Sequence, residues 1–594
     1  MAKAKARRNE KAGIMPKEWL YYVLVELSAL VYVLPLVSSN NEEAVLDEMY
    51  LLDPSRSNQD VKGVSSLSQV FSSDYWGRSI HTDSSHKSWR PFSVLLLRYL
   101  NNDGEAGLLF GLPIKPILLQ RLLNVALHVV TASLVGKLAV TFFAPAGDQK
   151  LQKATQYLAF MLFALHPAHV EVVANVANRP HLTALFCALM TIDTKKIEFV
   201  ILFWAIGLLS CETMVFQLPA VLMTATIVRL RTRGAESLSS LRMIVSEMLP
   251  RYLVWIGLTV LYLVGRFAWG TLSIPEGLLE RAESPFAHLE GFVRLLSFAY
   301  IVAVHVGKSF GIDWIGFAHE YSHVCIDPVK SLSDFRLMAP LLIGAVIVSI
   351  SLALAQRPRL MPVLSWITAL AWMATLFPIS GLLNVGTFIA DRMCMASSVV
   401  MAMYGGFFTA NKVLQSRPWL ALIVLFLLGF WTPRVWMRTN EWTEHKLLFD
   451  RTLQTCPKSA KNLLQLSKVY SGSSGSKIID MEKSLAYVQE ANDADPEFCR
   501  VHLQFAHIHL RQEEFRKAEF HLVRALDCPT TASQAMGLWK QYWAAHPDQD
   551  AATKQREKVM KQYEVDKKQA EMDRRMEQLF SKGMFRAPRN QEEL

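Results

Sequence analysis

The chain of 594 residues has room for several domains, and it combines 51% hydrophobic with only 19% charged residues, a balance that excludes an ordinary soluble enzyme. Its net charge of +10 does not point to nucleic acid. Lys3, Lys5, Arg7, Arg8, Lys11 and Lys17 crowd ahead of the first apolar run, where the positive-inside rule accounts for them, so no nucleic-acid partner is expected.

In chain order, the apolar runs Leu20 to Val37, Ile117 to Phe143, Phe216 to Val228, Tyr252 to Ala268, Met338 to Leu354, Val363 to Phe377, Phe388 to Phe408 and Leu420 to Trp436 predict membrane-crossing helices. Tyr157 to Ala177, His181 to Ile192, Phe199 to Leu209 and Phe292 to Val306 are shorter or more polar versions. A run of this length in hydrocarbon must satisfy its own backbone, which requires helix. The first run is long and lacks a small-residue cleavage pattern, so it is expected to stay as a span. Basic loops recur at Lys150/Lys153, Lys195/Lys196, Arg229 to Arg242, Arg357/Arg359 and Lys412/Arg417. If each faces the cytosol with residues 1–18, an even number of spans separates neighbouring loops. The interval from Arg242 to Arg357 holds three, so Phe292 to Val306, interrupted by Arg294 and His305, is expected not to cross. About eleven crossings then remain, which puts the loop 38–89 and everything after Trp436 on the luminal side.

Polar residues recur where these runs meet the lumen. AVLDEMYLLD sets Asp47 beside Glu48 just after the first span. One carboxylate there can serve as a general base with its neighbour orienting it; solvated loop charge is the plainer alternative. SHKSWRPF brings His86, Lys87 and Arg90 to the edge of an apolar run, as an interfacial anchor or as cations for a phosphate. HPAHVEVVANVANRPH carries His166, His169, Glu171 and Arg179, and ionisable groups at membrane depth mark a site or a polar pathway. The first three are metal ligands by type, but their i, i+3, i+5 spacing does not share one helical face, leaving interfacial packing or substrate contact as the other readings. Asp391 and Arg392 adjoin at a further luminal edge, as a local ion pair or as part of a site.

After residue 436 the composition becomes mixed, charged and helical. Cys456-Pro457, Asp495-Pro496 and Cys528-Pro529 each open a stretch with helical apolar spacing, and Pro496 to Pro529 is a step of 33 residues, close to the tetratricopeptide period of about 34. Residues 437–550 are therefore read as tetratricopeptide-like repeats, with SGSSGSK inserted at the inter-helix turn of the first. Residues 551–594 are read as a charged helical tail, ending in Gln591-Glu592-Glu593-Leu594, a loose match to a luminal retention signal. Of seven cysteines, Cys187, Cys211 and Cys394 lie in or beside apolar runs, whereas Cys325, Cys456, Cys499 and Cys528 face the lumen, where a disulfide among them is open. No CxxC pair or metal-ligand spacing occurs.

DVKGVSSLSQVFSSDYWG, SHKSWRPF, NVALH, HPAHVEVVANVANR, LLSCET and NEWTEHKLLFDRTLQTCPKSAKNLL, in this order between about Asp47 and Cys528, resemble the transmembrane and tetratricopeptide-repeat-containing protein O-mannosyltransferase family. That resemblance implies a GT-C-type, all-α polytopic domain over residues 19–436 in the endoplasmic reticulum. It implies transfer of mannose from dolichyl-phosphate mannose, a membrane lipid donor, to Ser/Thr hydroxyls of acceptor polypeptides, with inversion and without a metal or other cofactor. Asp47 would be the catalytic base and Glu48 its less certain partner; His86, Lys87, Arg90, Arg179 and Arg392 would neutralise the leaving phosphate; His166, His169, Glu171, Glu212 and Asp391 are further candidates. The chain departs from the family at Cys211, where the family tends to have Lys, near His181, where it has an acid, and at Asp391 and Cys394, where it has Glu and Tyr. The rival readings are a non-catalytic scaffold whose repeats recruit luminal proteins, and a transporter, for which matched halves are lacking.

Overall fold

The computed structural model describes residues 18–564 apart from 39–43, 53–57, 83–84, 102–106, 110–111, 145–146, 235–236, 273, 275–278, 280, 282–283, 320, 322–324, 384 and 529–530. The basic N-terminus, Pro529 and the C-terminal four residues lie outside these. The described part is helical except for one small hairpin, in which Gly107–Leu109 pairs antiparallel with Leu112–Ile114. It is an all-α polytopic membrane protein.

Local chemistry sets the helix ends. Pro91, Pro116 and Pro180 occupy first-turn positions, where a missing N–H costs nothing, and Asp148 and Ser237 cap their helices through side-chain oxygens. Close packing relies on small residues, as expected when lipid removes the hydrophobic drive between helices. A Cβ on Gly136 would stand 2.8 Å from the Gln156 carbonyl, and one on Gly406 2.7 Å from the Ala159 nitrogen, so the helix Gln149–Ala164 is gripped on two sides by glycines.

By length and apolarity nine helices among the described residues can cross a membrane, or ten if Gln149–Ala164 and Pro167–Ala174, which meet at a 51° bend, form one span. The arrangement of helix ends refines this. The helix Pro116–Phe143 carries Arg121 near one end and Lys137 roughly 24 Å further along. Lys137 pairs with Asp193 at 2.7 Å, and Arg251 donates to the Thr194 and Lys195 carbonyls. The helices Arg179–Asp193 and Ile197–Ser210, of only 15 and 14 residues, therefore run between the same two faces. Gly291–Ser309, apolar and 19 residues long, is one of the nine, against the expectation that it does not cross. Arg294 near its start donates to the Gly381 carbonyl, and Lys308 near its end pairs with Asp391. Both ends thus meet the connection between Leu360–Ile379 and Asp391–Gln415. By length and composition the structure gives nine or ten spans, fewer than the expected count of about eleven.

The last crossing helix, Leu420–Glu441, leads into His445–Thr455, Ala460–Tyr470, Met481–Ala494, Arg500–Arg511, Phe515–Leu526 and Ala532–Ala545. Successive helices pack as hairpins around Leu463, Leu464, Val488, Val501 and Phe505, and then Ala518, Leu522, Trp539 and Tyr542. SGSSGSK lies in the turn before Met481. Residues 551–564 are helical and add Ala552, Val559 and Met560 to the core holding Trp539 and Trp543. The boundary expected at residue 550 therefore falls inside the last hairpin, because this stretch buries an apolar stripe. Disulfides join Cys325 to Cys456 and Cys499 to Cys528, with Cα separations of 5.4 and 6.3 Å; such bonds persist in oxidising compartments.

Three histidines tie the second hairpin together. His502 and His521 face each other through Nδ1 atoms 3.1 Å apart, His509 Nδ1 meets Glu514 at 2.6 Å, and the His521 ring stacks on Phe505. Burial pushes all three imidazoles down, His521 from 6.5 to about 3, with His502, His509 and Arg524 adding to it. The unfolded chain takes up these protons first, so folding stability is lost as pH falls from 6.5 toward 3. Hydrogen exchange of the intact protein should show residues 500–526 losing protection in that window while the spans do not, and His521→Phe should flatten the dependence.

Candidate functional site

The loop after the first span returns to the bundle at Val45 and Leu46, and Leu46 adopts φ 56°, a left-handed backbone unusual for leucine. The short helix Asp47–Leu52 starts there, and its two acids part company. Glu48 has no exposed surface. Its Oε2 accepts from Arg121 Nη2 at 2.6 Å and from the Val45 N–H at 3.0 Å, and its Oε1 accepts from the Val176 N–H at 2.7 Å. Arg121 also donates to the Trp442 carbonyl at 3.2 Å. Asp47, one residue earlier, is half-buried and close enough to act electrostatically on Tyr75 and Arg392.

The SHKSWRPF loop is organised by Asp74, whose carboxylate accepts from the Trp76, Arg78 and His86 amides and from Ser85 Oγ. Lys87, at φ 57°, turns its ammonium back to the Ile80 and Thr82 carbonyls at 2.8 and 2.9 Å. Its own carbonyl accepts from the buried Arg266. Lys87 thus closes its own loop, and the expectation that it faces a ligand phosphate gives way to a charge held by backbone oxygens. Trp89 donates to the Phe71 carbonyl and packs on Tyr262 and Trp269, the anchoring role its type suggests. Arg90 does reach the site. It makes a bidentate pair with Glu212, at 2.9 and 2.7 Å, and lies 5.2 Å from the Tyr75 ring centre. Burial pushes the Glu212 carboxyl up, but the Arg90 charge outweighs it and holds Glu212 at about 2, so the pair stays ionised at any physiological pH.

The third segment also divides. His166 caps the turn Pro167–His169 through its ring, and His169 uses both ring nitrogens, on the Phe163 carbonyl at 2.9 Å and Ser398 Oγ at 2.8 Å. The two rings stack 4.7 Å apart; His169 is fully hydrogen-bonded, whereas His166 Nε2 is buried without a hydrogen-bond partner. Among the described residues no group of three His, Cys, Asp or Glu could hold a metal ion. Glu171 instead holds Arg392, by side chain at 2.5 Å and by backbone N–H at 2.9 Å. Asp391 pairs with Lys308 at 2.9 Å, so the neighbours Asp391 and Arg392 are not partners: their side chains leave the turn in different directions. Cys211 Sγ and His181 Nδ1 lie 3.9 Å apart, which makes two of the departures from the family pattern a single adjoining change.

Four arginines ring the Asp47 face, and three are neutralised: Arg90 by Glu212, Arg392 by Glu171 and Arg121 by Glu48. Arg179 is not. It is 2% exposed and is held by neutral oxygens, Nε on Asn124 Oδ1 and Nη2 on the Gln120 carbonyl, while Nη1 has no hydrogen-bond partner. A buried guanidinium without a carboxylate is costly unless an anion comes to it. Arg121 and Tyr75 escape the sequence reading, although Arg121 carries a signal, a charge inside an apolar helix.

The chain is similar to proteins named protein O-mannosyl-transferases. It is 25% identical to F38B6.6 of Caenorhabditis elegans over 465 residues, which is 75% of this chain and 59% of that protein. It is 26% identical to TMTC4 of Homo sapiens over 68% of this chain and 58% of that protein, and 37% identical to Tmtc2 of Drosophila melanogaster over 136 residues, 23% of this chain and 13% of that one. The chain thus spans about three fifths of the length of the first two relatives. No family model and no solved structure matches it.

The clamp around Glu48 makes a testable demand. Glu48→Gln leaves Arg121 buried and unpaired, which costs about 3–5 kcal/mol, so thermal unfolding in detergent should show a large drop in Tm. Asp47→Asn, at a half-buried position, should leave Tm nearly unchanged.

Proposed function

We propose that the chain is a protein O-mannosyltransferase of the endoplasmic reticulum membrane, with its N-terminus cytosolic and its C-terminal helices luminal. It takes mannose from dolichyl-phosphate mannose and transfers it to Ser or Thr hydroxyls of acceptor polypeptides. The observation that carries this reading is the buried Arg179, whose Nη1 has no hydrogen-bond partner, three residues after the Val176 N–H that meets Glu48, the sequence neighbour of Asp47. In this reading the Asp47 carboxylate takes the acceptor hydroxyl proton as the oxygen attacks C1 of mannose. The bond from C1 to the phosphate oxygen breaks on the opposite side, giving inversion. Arg179 receives the negative charge that grows on the phosphate, and Arg90 and Arg392, already paired, shape the field around it. Fixed cations aimed at developing charge are among the largest contributors to such rates. The resemblance to named O-mannosyl-transferases and the two disulfides support this setting, and the C-terminal hairpins, read as tetratricopeptide-like repeats, would hold acceptor polypeptide.

The purified protein should mannosylate a Ser/Thr-rich acceptor from dolichyl-phosphate mannose, read by mass spectrometry. Asp47→Asn should lower kcat at least ~100-fold at normal protein level, and Arg179→Gln should weaken donor use more than acceptor use. Full activity of Asp47→Asn would remove Asp47 from the mechanism.

A further inference from the structure

The backbone just ahead of Asp47 is held by a residue from the other end of the chain. The Leu46 N–H donates to His445 Nε2 at 3.0 Å, across a sequence separation of 399. His445 opens the first helix beyond the last crossing segment, His445–Thr455, and is 3% exposed. Accepting at Nε2 requires the neutral ring with its proton on Nδ1. The junction in front of it, Trp442, accepts from Arg121, the partner of Glu48. Leu46 therefore sits in a left-handed conformation between two restraints: His445 on its own N–H, and the Glu48 clamp through the N–H of Val45. An unfavourable φ at a non-glycine residue persists only when its surroundings over-determine it, and here it fixes the direction in which the next side chain, Asp47, leaves the backbone.

We propose that His445 is a positioning residue for the transfer reaction: by holding the Leu46 N–H it sets where the Asp47 carboxylate points. The inference rests on Asp47 being the base. Without the acceptor, a buried N–H is orphaned and Leu46 can relax toward ordinary φ. A shift of about 1 Å at a reacting group costs on the order of 100-fold in rate. Substrate contacts elsewhere are untouched, so the effect falls on kcat.

The test uses the full-length protein and three variants: His445→Phe, which fills the space without an acceptor; His445→Gln, whose amide oxygen can accept in place of Nε2; and Asp47→Asn. His445→Phe should lower kcat about 10- to 100-fold with KM for donor and acceptor within about 3-fold, and His445→Gln should return kcat to within about 3-fold of wild type. Wild-type kcat in the Phe variant overturns the proposal, as does a loss confined to KM, or a folded Gln variant no better than Phe. If the Phe variant does not accumulate, the Gln variant decides alone: active supports the proposal, folded and inactive overturns it. Full activity of Asp47→Asn defeats the reading of Asp47 itself and this inference with it, whereas an inactive Asp47→Asn beside an indifferent His445→Phe defeats this inference only.

Discussion

The ion pair between Glu48 and Arg121 organises everything around it. A carboxylate with no exposure and a guanidinium 3% exposed persist together only because each remaining lone pair and N–H finds a partner. Those partners are spread across the chain: the Val45 amide in the loop after the first span, the Val176 amide in the turn before Arg179, and the Trp442 carbonyl at the end of the last crossing helix. One buried charge pair thus pins together three stretches of backbone that share no local sequence. Asp47, adjacent to this clamp, takes its backbone position from it while its own side chain lies outside the Glu48–Arg121 pair.

Charge in the rest of the face follows a simple pattern. Arg90, Arg392 and Arg121 are each fixed by a carboxylate, whereas Arg179 and Arg266 are held by neutral oxygens, and of these two only Arg179 leaves a buried Nη1 without a hydrogen-bond partner. Lys308 shows the contrast: it is buried just as deeply, but Asp313 and Asp391 meet it at 3.1 and 2.9 Å, so it has no charge to offer a ligand. The helix that carries Lys308 exposes Phe292 and Leu295 near its start.

Much of the fold was legible in the sequence because hydrophobic runs and basic loops act over a whole span, and single residues cannot overturn them. The helix from Gly291 to Ser309, expected not to cross because of its two interruptions and the loop charges, is long and apolar enough to cross, because two polar residues do not undo a run of this length. The site was legible as a set of segments and less so as individual roles. Asp47 and Glu48 are chemically alike and adjacent; only long-range partners, Arg121 and Val176, separate them. Lys87 looked like a phosphate ligand because its type and position allow it, but a left-handed backbone turns its side chain back on its own loop. Asp391 and Arg392 are neighbours in sequence, and the direction of each side chain depends on Lys308 and Glu171, far away along the chain. His169 offered a ligand's nitrogens, and local packing spent both. The last hairpin was missed because its charged face dominates composition, while its apolar stripe emerges only against Trp539 and Trp543.

The contact between Leu46 and His445 also bears on how the protein is made. Synthesis delivers the loop around Leu46 first and the residue that holds it nearly 400 positions later, and the Cys325–Cys456 bond closes over a stretch of 131 residues in the same late phase. Contacts of such sequence separation form slowly, because the chain must be ordered before they reward it. The loop that emerges earliest is therefore among the last to be completed, and a nascent chain stopped within its crossing helices has the acids in place but not the scaffold that aims them.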